Sequence, residues 1–274
     1  MLSARFRLRG LALAALSAGG AQPRAAGRHE SLESLELVRT VALNADTHHV
    51  QGIHVVNGRV YVTSVERATR KGHLFEFSYP GGDLLRHIEV QEGERFHPGG
   101  ICVYGGSIWI PVSEYRPRSS TVIQRRNLGS LALESSFVVA DSIGCVAANA
   151  DLLAGGNWDS REIYLWDYAG RQRDCVRNPN GNAYQDLKFH SGSLVGGGLL
   201  PGREGAIDWM EFPSLRLLCR LKAGRTDRNV PYTQEGMAVT GNELLLLPED
   251  APSRLFAFRL GAAPCALLHV GSTL

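Results

Sequence analysis

Apolar and polar positions along the chain repeat in a unit of two strands joined by a tight turn. The unit is clearest in the eighteen-letter stretch HVQGIHVVNGRVYVTSVE, from His49 to Glu66. An apolar segment runs into the pair Asn57-Gly58, and a second apolar segment follows and ends on an acidic residue. Asn-Gly pairs favour the positive φ angles of two-residue hairpin turns. The pattern therefore predicts an inner strand, a hairpin turn and a second strand.

Four further copies of this unit follow at intervals of 42 to 50 residues. The equivalent anchor positions are Gly52, Gly100, Gly144, Asp186 and Gly236. Each anchor is followed at the same distance by a turn pair and then by two apolar residues, without gaps. Repeats of about 40–50 residues with several short strands are typical of β-propellers, in which each repeat is one blade.

Each repeat contains two more strand-like segments after the hairpin. The third segments are 74–79, 122–127, 163–168, 207–212 and 255–260, and the more polar fourth segments are 84–90, 133–139, 174–176, 217–223 and 266–270. No segment shows a sustained helical period. We therefore predict an all-β fold, a five-bladed β-propeller with four antiparallel strands per blade.

An alternating segment at 35–43 precedes the first anchor and predicts an N-terminal strand that closes the ring on the fifth blade. Because segment 266–270 is a second candidate for the outermost position of that blade, the sequence leaves the choice between them open.

The start of the chain has the layout of a secretory signal peptide. Arg5, Arg7 and Arg9 precede an apolar run at 11–18, and small residues follow up to Ala21. We expect a signal peptide at 1–21, a linker at 22–34 and a single domain at 35–274, in a periplasmic or secreted protein. The apolar run is short for a membrane span, so we expect no transmembrane segment after cleavage.

Removal of the leader would change the formal net charge from +2 to −1, because it carries three arginines and no acidic residue. The remaining domain has no basic excess, which argues against nucleic acid as a partner.

The chain has five cysteines, an odd number for an exported protein. Cys175 and Cys219 fall on outer-strand segments of consecutive blades, which makes a bridge between them one option. The other is that most thiols are small buried apolar groups.

Polar residues collect at the segments that enter the first strand and leave the second strand of each repeat. In a propeller these segments meet around one mouth of the central channel. We predict ligand-binding roles for Gln51, His97, Tyr184, Gln185, Asp186, Glu235 and Trp158. The candidate catalytic residues are Glu66, Glu114, Asp250 and His49.

These residue types allow several functions. The mouth of a monomeric propeller can bind a small molecule or a carbohydrate. Carboxylates around a cation, with a histidine base, would suit a lactonase or ester hydrolase. Paired carboxylates suit glycosidic bonds. A scaffold for protein partners is a further class. The alternative to all of these functions is a structural role, in which His49 and His97 occupy equivalent positions of two repeats and hydrogen-bond to the loops.

The segments HVQGI (49–53), HPGGI (97–101) and QEGMA (234–238) resemble an uncharacterised family of exported bacterial propeller proteins, a domain of unknown function. The repeat is more distantly similar to gluconolactonase and senescence-marker type propellers. Those proteins hold a divalent metal through Glu, Asn and Asp, which implies Glu66, Asn157 and Asp250 here, around an ion such as Ca²⁺. They have six blades, so lactonase activity is not transferred. Five-bladed glycosidases are similar in blade count only.

Overall fold

A computed structural model describes residues 28–260, with side chains from Ser31 onwards. These residues form five β-sheets, each made mainly of four antiparallel strands, and two single-turn 3-10 helices. The prediction of an all-β, five-bladed propeller is confirmed.

The strands follow one another blade by blade. Before the first blade come β1 (Arg28–Ser31), a 3-10 helix (Leu32–Ser34) and β2 (Glu36–Ala42). Blade 1 has β3 (His49–Val56), β4 (Arg59–Glu66), β5 (Lys71–Ser78) and β6 (Leu84–Glu89). Blade 2 has β7 (His97–Pro98), β8 (Cys102–Tyr104), β9 (Ser107–Ser113), β10 (Thr121–Asn127) and β11 (Leu133–Val139). Its inner strand is β7 and β8 together, interrupted at 99–101.

The remaining three blades follow the same order. Blade 3 has β12 (Ile143–Ala148), β13 (Leu153–Asn157), a 3-10 helix (Trp158–Ser160), β14 (Glu162–Trp166) and β15 (Gln172–Arg177). Blade 4 has β16 (Ala183–His190), β17 (Ser193–Leu199), β18 (Gly205–Glu211) and β19 (Leu217–Lys222). Blade 5 has β20 (Glu235–Thr240), β21 (Glu243–Pro248) and β22 (Arg254–Arg259).

The N-terminal strand β2 closes the ring. It pairs antiparallel with β22, with Thr40 opposite Phe256, and is the outermost strand of blade 5. Segment 266–270, the other candidate for this position, lies outside the described residues. The ends of the described chain thus meet in one sheet, which ties the first strands to the last blade.

The expected linker at 22–34 needs a correction over its second half. Strand β1 pairs in parallel with β19, with Arg28 opposite Cys219, and adds a fifth strand to blade 4. The outer edge of β19 offers unpaired backbone groups, and an extended segment passing this edge satisfies them.

The expected signal peptide lies outside the described residues. Within 28–260, no helix has the length and apolar character needed to cross a membrane. Cys219 is disulfide-bonded, whereas Cys102, Cys145 and Cys175 are free thiols, so the bridge between Cys175 and Cys219 does not form.

Strand β21 shows why the second strands are continuously apolar. Leu245 and Leu247 pack into the core shared with blade 1, whereas Leu244 and Leu246 pack into the core shared with blade 4. All four side chains are fully buried. Because successive side chains of a strand point to opposite faces and both faces are covered, no position in this run can be polar without a buried partner.

Around the central axis, the inner strands touch backbone to backbone. A Cβ atom on Gly52 would lie 2.4 Å from the Cα of Gly100, and one on Gly99 would lie 1.9 Å from the carbonyl oxygen of Gly144. Real Cβ atoms do not approach other atoms so closely, so glycine is the residue that allows this spacing.

Asp186 is the one anchor of the five that is not glycine, and it joins several blades. Its Oδ2 accepts hydrogen bonds from the backbone N–H groups of Ile53 (3.0 Å) and Met237 (3.1 Å) in blades 1 and 5. The carboxylate forms a fully buried ion pair with Lys188. The Lys188 ammonium group also donates to the carbonyl of Ile101 in blade 2 (2.8 Å). One carboxylate and one ammonium group therefore connect four blades at the axis.

We predict that Gly52→Ala and Gly144→Ala differ sharply, although both change an anchor glycine. The new methyl group of the first would collide with backbone at 2.4 Å, whereas that of the second would find its nearest atom at 3.8 Å. Gly52→Ala should cost about 3 kcal/mol or more of unfolding free energy, and Gly144→Ala far less. Urea denaturation of both variants checks this. Equal midpoints would contradict the close backbone packing.

We also predict that Lys188→Met destabilises the propeller strongly. Without the ammonium group, the Asp186 carboxylate stays buried beside three backbone N–H donors with no cation, a change that typically costs about 3–5 kcal/mol. Lys71→Met, which removes an exposed lysine paired with Glu89, is the matched control and should change stability little. Thermal unfolding of the two variants measures the contrast, and a similar small effect of both would show that the axial pair is dispensable.

Candidate functional site

Three ionisable side chains from blades 1 and 5 meet where β3 and β20 begin and β21 ends. His49 begins β3, Glu235 begins β20, and Glu249 follows β21. One ligand atom of each lies within 4.8 Å of the others. The Nδ1 of His49 donates a short hydrogen bond to the carboxylate of Glu249. We call these three residues the axial group.

Glu235 is the unusual member of the axial group. Its side chain is buried, and its backbone φ of 121° lies in a region that L-residues rarely adopt. Burial and then the negative charge of Glu249 raise the pKa of Glu235 to about 8, against the opposing charges of Arg67 and Arg203. In the described part of the chain, no group donates a hydrogen bond to this carboxyl group. At neutral pH it therefore holds a proton that it can give up.

Basic and aromatic side chains surround the axial group. The guanidinium of Arg67 lies over the ring of Tyr115, 5.3 Å from its centroid, and the ring of His97 lies 4.5 Å from that of Tyr115. Burial, together with the charges of His49 and Arg67, lowers the pKa of His97 to about 3. His97 is thus a neutral ring at physiological pH. The mouth combines carboxyl groups, a guanidinium and flat ring surfaces.

A cavity of about 640 Å³ adjoins this region between blades 3 and 4. Its lining includes Gln185, Arg177 and Arg203, and Arg203 also donates to the side chain of Gln234 (3.1 Å). Because Arg203 acts on Glu235 as well, the cavity and the axial group share this arginine.

Glu66 lies in a second group of ionisable residues, within blade 1. One ligand atom each of Glu66, His48 and His73 lies within 4.8 Å of the others. Of the two carboxylates predicted to bind metal, Glu66 and Asp250, only Glu66 belongs to such a group in the described structure.

The other two predicted metal ligands are bound elsewhere. Asp250 is buried, and its carboxylate pairs with Arg228 and Arg254. The Asn157 side chain donates to Asp141 and accepts the N–H of Glu162, both in blade 3 or its preceding loop. Both side chains are held by these local bonds. The structure therefore does not bring Glu66, Asn157 and Asp250 together as one ion site.

Two further predicted site residues lie on the rim, apart from the axial group. Glu114 is engaged within its own loop, where it pairs with Arg116 and accepts from the Ser120 hydroxyl (3.0 Å). Trp158 is half-buried at the start of a 3-10 helix, and its backbone N–H donates to the carbonyl of Ser142 (2.9 Å).

Three residues predicted to bind ligand are buried and hydrogen-bonded within the protein. The hydroxyl of buried Tyr184 donates to Asp208 (2.9 Å) inside blade 4. Asp186 joins blades at the axis, as described above. Gln51 is buried, and its amide donates to the carbonyl of Val50 (2.7 Å). All three side chains are buried.

Sequence reasoning missed Glu249, Arg203 and His73 as candidates. Counting a fixed offset from each anchor selected Asp250, the neighbour of Glu249, because a count cannot tell which of two adjacent acids faces the axis. No sequence signal marked His73, since it lies inside a third strand.

A family model described as "Family of unknown function (DUF6454)" matches residues 32–186. None of the curated proteins matches the chain. The crystal structure of Myxococcus xanthus glutaminyl cyclase has a TM-score of 0.66 and 12% identity, and covers 85% of this chain and 98% of that one. The Neurospora crassa Pan2 WD40 domain has a TM-score of 0.47 and 8% identity, over 80% of this chain and 64% of that one. At such identity the likeness to the cyclase concerns the fold.

The raised pKa of Glu235 predicts a pH-dependent gain in stability for Glu235→Gln. Between the ordinary value of 4.5 and about 8, the unfolded chain loses this proton while the folded protein keeps it. The group therefore destabilises the fold increasingly as pH rises through this range. The melting temperature of the variant should match that of the wild type near pH 4.5 and exceed it at pH 8.5 by on the order of 5 °C.

Melting curves across this pH range, with exposed Glu36→Gln as control, measure the difference between the two proteins. A constant difference at all pH values would mean that the carboxyl group titrates normally.

Proposed function

The chain belongs to this family of unknown function, and we propose that it binds a small polar molecule at the mouth of the channel. The observation that carries the proposal is the axial group, in which a buried, proton-holding Glu235 lies beside the hydrogen-bonded pair of His49 and Glu249. Convergent polar groups in a concave region with a perturbed pKa support a binding site.

The surrounding charges indicate what kind of molecule fits. Glu235 and Glu249 suit an amine or hydroxyl donor, and Arg67 and Arg203 suit a carbonyl or carboxylate. Tyr115 and His97 supply ring faces, and Tyr115 is 39% exposed to solvent. We therefore infer a ligand with both donor and acceptor ends, such as an amino acid derivative, a short peptide terminus or an amino sugar.

A second candidate function is acid–base catalysis on such a ligand. Two nearby carboxyl groups are useful catalysts when their environments separate their pKa values, because one can donate a proton while the other accepts. The value of about 8 for Glu235 suits a group that donates and recovers a proton near neutral pH. Cyclisation of glutaminyl peptides is the first reaction to assay, given the name of the Myxococcus xanthus structure. Hydrolysis of aryl glycosides and lactones follows.

A divalent ion at the axial group suits these residues less well. Glu235 holds a proton, and the carboxylate of Glu249 already accepts the hydrogen bond of His49. Ca²⁺ in particular prefers six to eight oxygen ligands, which this group does not offer. We propose that the axial group acts by hydrogen bonding and proton transfer, without a metal ion.

We infer further that the protein is exported. The arginine-rich start with its apolar run supports this, and so does the disulfide at Cys219, since disulfides persist in oxidising compartments. Fractionation of cells that express the full chain tests it.

The binding proposal is tested with a panel of amino acids, glutaminyl dipeptides and amino sugars, screened by thermal shift and then by calorimetry. At least one compound should raise the melting temperature of the wild type, and Glu235→Gln and Arg67→Gln should each lower its affinity about tenfold or more. Glu36→Gln, an exposed change on β2, should bind like the wild type. Equal affinity of all three variants would place the ligand elsewhere.

A further inference from the structure

We propose that His48, Glu66 and His73 form a binding site for a divalent transition-metal ion, Zn²⁺ by preference, at the rim of blade 1. The site is distinct from the axial group and does not rest on the function proposed above. His48 precedes β3, Glu66 ends β4 and His73 lies in β5, so three consecutive strands of one blade supply the ligands.

The spacing of the three side chains fits ligands around one ion. Their ligand atoms lie within 4.8 Å of one another, and Nε2 of His73 is 3.6 Å from Oε2 of Glu66. That separation is too long for a hydrogen bond. Two ligands about 2.0–2.2 Å from one zinc ion at a tetrahedral angle lie roughly 3.4 Å apart, which is close to the separation observed.

The buried ring of His73 gives independent support. Its side chain is 3% exposed, and its Nε2 has no hydrogen-bond partner. A buried polar atom without a partner is costly, and this one faces the carboxylate of Glu66. A cation between the nitrogen and the carboxylate would satisfy both groups.

The other nitrogen of His73 is held as in known metal sites. Nδ1 of His73 lies 2.9 Å from Nε2 of His87. The ring of His87 in turn stacks on Phe75, with centroids 4.4 Å apart and an interplanar angle of 11°. When Nδ1–H of His73 donates to His87, Nε2 keeps its lone pair for an ion. Metal-binding histidines are commonly oriented by such a second hydrogen bond.

His48 completes the ligand set and opens it to solvent. Its ring is half-buried and lies on that of His73, with centroids 4.9 Å apart. His48 also lines a cavity of about 370 Å³ together with Pro252 and Ser253 of blade 5. The cavity exposes one of the three ligands, so an ion can reach His48 from solvent.

The donor atoms select the class of ion. Two imidazole nitrogens and one carboxylate suit Zn²⁺ and its first-row neighbours Co²⁺, Ni²⁺ and Cu²⁺. Ca²⁺ and Mg²⁺ prefer oxygen ligands throughout. We therefore expect the site to discriminate against the alkaline-earth ions, in contrast to the Ca²⁺ expected from the sequence.

The test uses the untagged full chain, stripped with a chelator and dialysed. Titration with ZnCl₂ followed by calorimetry should show binding of one ion that CaCl₂ and MgCl₂ do not reproduce. Co²⁺ should give the visible absorption of a tetrahedral complex. Glu66→Gln and His48→Ala should each weaken Zn²⁺ binding about 100-fold, and His87→Phe about 10–100-fold, as expected for a residue that orients a ligand.

Two controls locate the ion. Glu249→Gln alters the axial group and His190→Gln alters a half-buried histidine of blade 4, and both should bind Zn²⁺ like the wild type. Melting temperatures without metal show that each variant is folded. Absence of Zn²⁺ binding by the wild type would overturn the proposal. Loss of binding in Glu249→Gln with retention in Glu66→Gln would overturn it as well, because the ion would then lie at the channel mouth.

Discussion

The buried ion pair of Asp186 and Lys188 is the interaction on which the ring depends. Five sheets meet at the axis with their backbones in contact, and contact alone does not fix their angles. The carboxylate accepts N–H groups from blades 1 and 5, and the ammonium group donates to a carbonyl of blade 2. Because loss of either charge would leave the other buried without a partner, the pair favours the arrangement of inner strands that satisfies both. The anchor glycines allow the inner strands to approach this closely, and the ion pair favours one orientation of the strands relative to one another.

The segments that enter the first strands and leave the second strands sort neighbouring residues between two groups. Adjacent residues at the strand ends contact different groups of side chains. His49 reaches the axial group and His48 joins the group in blade 1. Glu249 bonds to His49, whereas Asp250 is buried against two arginines. Two sites of different chemistry therefore lie next to each other, because one strand end supplies residues to both.

The two groups differ in what occupies their donor atoms. In the axial group, His49 is hydrogen-bonded to a carboxylate and Glu235 keeps a proton, which favours acid–base chemistry and polar ligands. In blade 1, a buried imidazole nitrogen faces a carboxylate at a distance that no hydrogen bond spans. Both are made of histidine and glutamate, so composition alone does not distinguish a proton site from a metal site. The donor atoms distinguish them, because Glu235 holds a proton whereas Nε2 of His73 has no hydrogen-bond partner.

The repeat in the sequence determined the number of blades, the order of strands and the end of the strands at which polar residues gather. Those features follow from local pattern, since turn pairs and apolar runs are short-range signals. Tertiary structure alone decided which of two neighbours faces the axis, why Asp186 is structural, and that His73 meets Glu66. Contacts between blades fix these outcomes, and the residues involved lie far apart in the chain.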